Sequence, residues 1–170
     1  VIRTLKMGHL FTEGTADSNE IWLDVTVTSG QRVIGRSGAM DAHGEVDRWA
    51  HFVNVFMLDR EGRRINRRNA EDIFVPLYNH QIPPGAAAVV HYAIAIPEGV
   101  SGPVTIDAAL RYRKFDTTYL KHVQGEDFRG NDLPVITLAS DRVSIPTSQD
   151  GPRPPSASAS PALWERWNDY

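Results

Sequence analysis

Alternation of apolar and polar side chains with a period of two runs through most of the chain, and it limits the fold more than any other feature. Ile21, Leu23, Val25 and Val27 share one side of an extended segment, while Asp24, Thr26 and Thr28 share the other. A period of two belongs to a strand with one buried face, because successive side chains leave the backbone in opposite directions. Ser29-Gly30 is a turn signal, after which QRVIGRS reads as the returning strand of a hairpin. Trp49 to Leu58 (WAHFVNVFML) is apolar on both sides and suits a central strand, ended by the turn Asp59-Arg60-Glu61-Gly62.

The same pattern continues towards the C-terminus. IFVPLY carries Pro76 and therefore belongs at an edge or a bulge, since proline cannot donate to a ladder. Pro83-Pro84-Gly85 precedes AAVVHYAIAI, in which Val90, Tyr92, Ile94 and Ile96 share a face. In VTIDAALRYRKF, Val104, Ile106, Ala108, Leu110 and Tyr112 point inward, and Asp107, Arg111 and Arg113 point outward. PVITLA and DRVSIP read as two final strands, DTTYLKHV as a short helix, and Asn69 to Ile73 as a helical turn. Roughly eight strands separated by turn clusters predict an all-β fold, an antiparallel β-sandwich of immunoglobulin-like kind, with a closed barrel as its main rival.

Composition changes after Pro146. Residues 1–146 make the sandwich domain. Residues 147–162, rich in proline, serine and alanine, form a linker with too little apolar surface to order itself. Residues 163–170 place Leu163, Trp167 and Tyr170 on one helical face, as at the start of a further helical region. The chain opens at Val1 without a leader-like run, as a mature or excised chain would. A net charge of −3 argues against nucleic acid or an anionic membrane surface as partner. No apolar run approaches the ~20 residues of a membrane span. Cysteine is absent, which excludes disulfides, thiolate metal sites, cysteine nucleophiles and haem attachment through CxxCH.

The chain contains no GxSxG elbow and no glycine-rich loop opening a helix, so no catalytic residue stands out and the expectation is a non-enzyme. The six histidines (His9, His43, His51, His80, His91 and His122) form no HxH, HExxH or HxxxH pair. His91 and His51 read as structural, His91 as a partly buried strand residue with a hydrogen-bond partner. His43 and His122 read as solvated, and His80 leaves both readings open. Arg63, Arg64, Arg67 and Arg68 either bind an anion or sit in a turn paired with their own acids.

GHLFTEGTADSNEIWLDVTV resembles a GHxFPxG segment followed by a strand beginning near a tryptophan. That arrangement is found in bacterial multihaem cytochrome c proteins, directly after the CxxCH-bearing region. LYNHQIPPGAAAVVHYAIAIPEGV and VTIDAALRYRKF extend the similarity to a β-rich domain of large extracytoplasmic proteins that combine cytochrome and tetratricopeptide-repeat regions. LWERWNDY is similar to the opening of such a repeat region. Thr12 stands where the resembling segment carries proline.

The resemblance implies a periplasmic or extracellular, non-catalytic module that packs on a multihaem cytochrome region. It implies His9 as a distal axial ligand of haem iron and Phe11 as a residue packing on the macrocycle. The chain binds no haem covalently, so the haem would come from an adjacent cytochrome region or chain. Two other readings stand beside it. One is a carbohydrate- or protein-binding sandwich with Trp22 and Trp49 as stacking platforms. The other is a copper or zinc site built from His9, His51, His80 or His91.

Overall fold

The alternating segments pair as antiparallel strands. The computed structural model describes residues 1–14, 17–65 and 67–147. The helical region expected at 163–170, and the linker expected at 147–162 apart from Thr147, lie outside the described residues. Within them the chain forms β1 (Ile2–Arg3), β2 (Glu20–Ser29), β3 (Arg32–Ser37), β4 (Val55–Leu58), β5 (Val75–Asn79), β6 (Ala87–Ala88), β7 (Val104–Arg113), α1 (Thr117–Gln124) and β8 (Ile136–Ile145). The fold is all-β with one short helix. Its main sheet has the order β3-β2-β7-β8, and β1–β6 and β4–β5 form separate two-stranded ladders.

Register decides where the core lies. β2 and β7 align Ile21 with Tyr112, Leu23 with Leu110, Val25 with Ala108 and Val27 with Ile106. The apolar sets of both strands therefore share one face. At one end Ile21 and Leu110 close on Val53 and Ile82, and at the other Val25, Val27 and Val104 form a second cluster. Each fully buried aliphatic side chain of this kind stabilises the fold by about 1.5–3 kcal/mol. The covering layer is assembled from the β1–β6 ladder and from irregular chain around Phe11 and Ile82. Among the described residues these pieces form no continuous second sheet.

β2 has two different neighbours along its free edge. β3 pairs with its second half, from Val25 to Ser29. Beside its first half, Trp22 bridges to Phe52, Leu23 N donates to His51 O at 2.9 Å, and Val53 N donates to Ile21 O at 2.8 Å. The chain continues from there into β4, which pairs with β5 in a ladder of its own. Gly38 lets the crossing from β3 pass close by: its φ is +75°, and a Cβ there would lie 2.1 Å from Leu23 O.

The structure corrects several sequence expectations. AAVVHYAIAI is not a strand beyond Ala87–Ala88. Val89, Tyr92 and Ile96 are exposed, because no neighbouring strand offers that segment a ladder. His91 is exposed rather than partly buried. PVITLA and DRVSIP are not two strands but parts of the single strand β8, since Ser140-Asp141 pairs with Ala109 and Ala108 without a turn. The central strand expected over Trp49 to Leu58 is regular only from Val55. Pro76 does lie in an edge strand, beside a register shift at Phe56 and Met57. The helix at 117–124 and the turn at 70–72 form where the sequence places them.

Candidate functional site

His9 lies in the loop between β1 and β2 and is exposed. Its Nδ1 is 2.9 Å from the carbonyl oxygen of Leu10 and 2.9 Å from Oε2 of Glu13. Both neighbours are acceptors, so Nδ1 carries the proton and donates. When the ring is neutral, this tautomer leaves the Nε2 lone pair available. A backbone carbonyl and a carboxylate on the far ring nitrogen are the usual outer partners of a metal-binding histidine, because they fix the ring and raise its basicity. Phe11 is committed differently. Its backbone bridges to Ile82 and its half-buried ring packs on the core cluster around Ile21 and Val53.

On the polar face of the sheet a second arrangement appears that the sequence reading did not single out. Glu20 and Arg113 are paired residues at the ends of β2 and β7. Alternation places Arg113 on the outer face, yet the turn carrying Gly44 and the segment at Asn131 close over it, and it is fully buried. Its Nε donates to Glu20 Oε2 at 2.8 Å, its Nη1 to Asn131 O at 3.2 Å and its Nη2 to Gly44 O at 2.8 Å. Gly44 has φ +76°, and a Cβ there would meet Asn131 O at 2.1 Å. Burial pushes the Glu20 carboxyl up to about 7, outweighing the downward pull of Arg113.

Beside this pair opens a cleft of about 280 Å³. Phe52, Phe56 and Tyr78 supply aromatic walls, and the first turn of α1 closes the opposite side. Asp116 caps that helix, its Oδ1 accepting from Tyr119 N at 2.7 Å, while its Oδ2 accepts from Arg64 Nη2 at 2.6 Å. The Arg64 guanidinium also lies 4.7 Å from the centre of the Phe56 ring. Arg63 pairs instead with Asp59 and Glu61, the acids of its own turn.

Four rings form a row leading from the cleft: Phe56, Tyr78, His80 and His51, with neighbouring centres 5.5, 4.5 and 5.0 Å apart. His80 Nδ1 faces Phe52 O at 2.9 Å. His51 is half-buried, with Nε2 lacking a partner. Burial, and then the neighbouring His80, hold its imidazole below the ordinary 6.5. A depressed histidine favours the folded state above 6.5 and loses that contribution as pH falls through its lowered value. NMR titration should place the His51 midpoint below 6.5; a midpoint at or above that value would contradict this environment.

Of the four histidines that could build a metal site, His51 and His80 stack on each other, and His9 and His91 are exposed. Among the described residues no group of three or more metal-ligating side chains converges. Trp22 is 2% exposed and donates from Nε1 to Gly38 O at 3.0 Å, so it is a core residue and not a stacking platform. Trp49 is 80% exposed, with the Arg48 guanidinium 4.9 Å from its ring centre. No helix among the described residues is long and apolar enough to cross a membrane. Comparison with protein-family models, curated proteins and solved structures finds no match to this chain.

Proposed function

We propose that the chain is a non-catalytic structural module of a multihaem electron-transfer protein outside the cytoplasm, and that it offers His9 to haem iron held by a neighbouring cytochrome region. The observation that carries this reading is the setting of the His9 ring. It is exposed, and Leu10 O and Glu13 hold its Nδ1–H. The residues fit the group: a ligand donated across an interface must project from its own domain with one nitrogen free and the other anchored. The haem would supply the one-electron chemistry, and this chain would fix the sixth position and exclude water from it. A further support is an apolar strip on β8, where Ile136, Val143 and Ile145 are about half exposed and open to a neighbour. A tetratricopeptide-repeat region following the chain belongs to the same proposal.

The test uses a haem c peptide whose iron carries one histidine and an open distal position. Adding the chain should convert its high-spin absorption spectrum into that of a low-spin bis-histidine haem. His9→Ala should remove the conversion, while His91→Ala, His43→Ala and His122→Ala leave it intact. An unchanged response in His9→Ala would refute the ligand role.

A further inference from the structure

We propose that the cleft between the β4–β5 ladder and the start of α1 binds a small organic monoanion with a flat apolar body, an aromatic carboxylate of one ring. This goes beyond the haem-module reading and does not depend on it, since His9 is not among the residues of the cleft.

The charges of the lining decide the sign of the ligand. Each carboxylate of the cleft already holds a cation: Glu20 pairs with Arg113, Asp116 with Arg64 and Glu45 with Lys121. Arg48 is the lining cation left over, and among the described residues no carboxylate pairs with it. With its pairs counted, the cleft therefore carries one positive charge in excess. A cationic ligand would meet that charge with no free acid to receive it, and a neutral one would leave it unanswered.

The two arginines of the lining differ in what they have to spare. Arg64 is committed on every side: Nη2 donates to Asp116 Oδ2 at 2.6 Å, Nη1 to Thr118 Oγ1 at 3.3 Å, and the guanidinium lies 4.7 Å from the centre of the Phe56 ring. Arg48 is exposed, and its guanidinium lies 4.9 Å from the centre of the Trp49 ring. That contact steadies the side chain without giving any of its N–H donors to a carboxylate. The planar fork stays open to two parallel bonds from a ligand carboxylate.

Phe52, Phe56 and Tyr78 supply the apolar part of the site. A ligand ring gains offset or edge contacts with such a wall, which a hydrated inorganic anion does not. At about 280 Å³ the cleft falls just below the roughly 300–1,000 Å³ of pockets that hold drug-sized ligands, which suits one ring rather than a chain.

The experiment is saturation-transfer NMR on the intact chain with benzoate, benzamide, acetate and benzylammonium, joined to mapping of backbone amide shifts with benzoate. Benzoate should give saturable transfer with a dissociation constant of about 1–10 mM, the range expected for so small a ligand. Benzamide, which lacks the charge, and acetate, which lacks the ring, should each bind about threefold more weakly or worse, and benzylammonium should not bind. The shifts should centre on Phe52, Tyr78 and Thr118. Arg48→Gln changes an exposed side chain, so it should leave the circular dichroism spectrum unchanged and weaken benzoate about tenfold. The proposal is overturned by no saturable transfer from benzoate, by equal binding of benzamide or acetate, or by binding of benzylammonium. Unchanged benzoate affinity in Arg48→Gln, or shifts confined to Trp49 and its neighbours, would overturn it as well.

Discussion

Replacing Arg113 with methionine is expected to cost about 3–5 kcal/mol of stability at neutral pH, the usual penalty for removing one member of a buried ion pair. The side chain has no solvent exposure, and it ties β7 to Glu20, to the turn at Gly44 and to Asn131. Methionine retains much of the volume, so the loss reports polar contacts rather than a cavity.

The pH dependence follows from Glu20. Its carboxyl rises from 4.5 to about 7 on folding, so its contribution to stability is fully present below 4.5 and is lost as pH rises through about 7. Without Arg113 nothing offsets burial to the same degree, and the folded-state value moves higher still. The penalty of Arg113→Met should therefore be smaller at pH 5 than at pH 8. Urea denaturation at the two values measures it. A loss below about 1 kcal/mol, or one that shrinks as pH rises, would contradict the account.

The second large effect is expected at Trp22. Trp22→Ala should destabilise the fold by about 3–5 kcal/mol, through lost burial and the cavity left behind. Two further consequences add to this. Gly38 O loses its donor, and the Arg113 guanidinium loses the ring 5.9 Å away. Trp22→Phe should recover most of the packing but not the hydrogen bond, which is worth about 1 kcal/mol. Equal stability of the two variants would show that this side chain is not part of the core.

Where one face of a strand is buried, the sequence declares it, and this explains which parts of the fold were legible. β2 and β7 alternate along most of their length because their apolar rows feed the two clusters around Val53 and Ile82 and around Val25, Val27 and Val104. The start of α1 is equally plain, since Asp116 precedes the helix and caps it. Alternation misled at Val90 to Ile96, where the spacing is that of a strand but only Ile94 finds a packing partner in the core. It also divided β8, where Ser140, Asp141 and Arg142 interrupt the apolar row yet stay in register opposite Ala109, Ala108 and Asp107. A carboxylate at that point of an open edge strand discourages pairing with other chains.

The polar cleft was hidden for a different reason. Glu20 and Arg113 lie 93 positions apart, and their parity says only that they share the outer face. That loops cover this end of the face is a property of tertiary packing, on which local periodicity is silent. Asn54 and Tyr78 looked like ordinary strand residues, and only the pairing of β4 with β5 brings them to one wall. By contrast, the exposure of His9 agrees with the turn-rich segment in which it was read. The bonds to Leu10 and Glu13 add what sequence could not supply, the partners of the ring's Nδ1.

The central claim concerns which chain provides the iron's distal nitrogen, and isotope labelling addresses it most directly. The chain is prepared with ¹⁵N-histidine and mixed with the natural-abundance haem c peptide, and pulsed electron paramagnetic resonance is recorded on the low-spin ferric iron. The account predicts a directly bound ¹⁵N coupling that disappears in His9→Ala. A low-spin iron coupled only to ¹⁴N, or a ¹⁵N coupling that persists without His9, would contradict it.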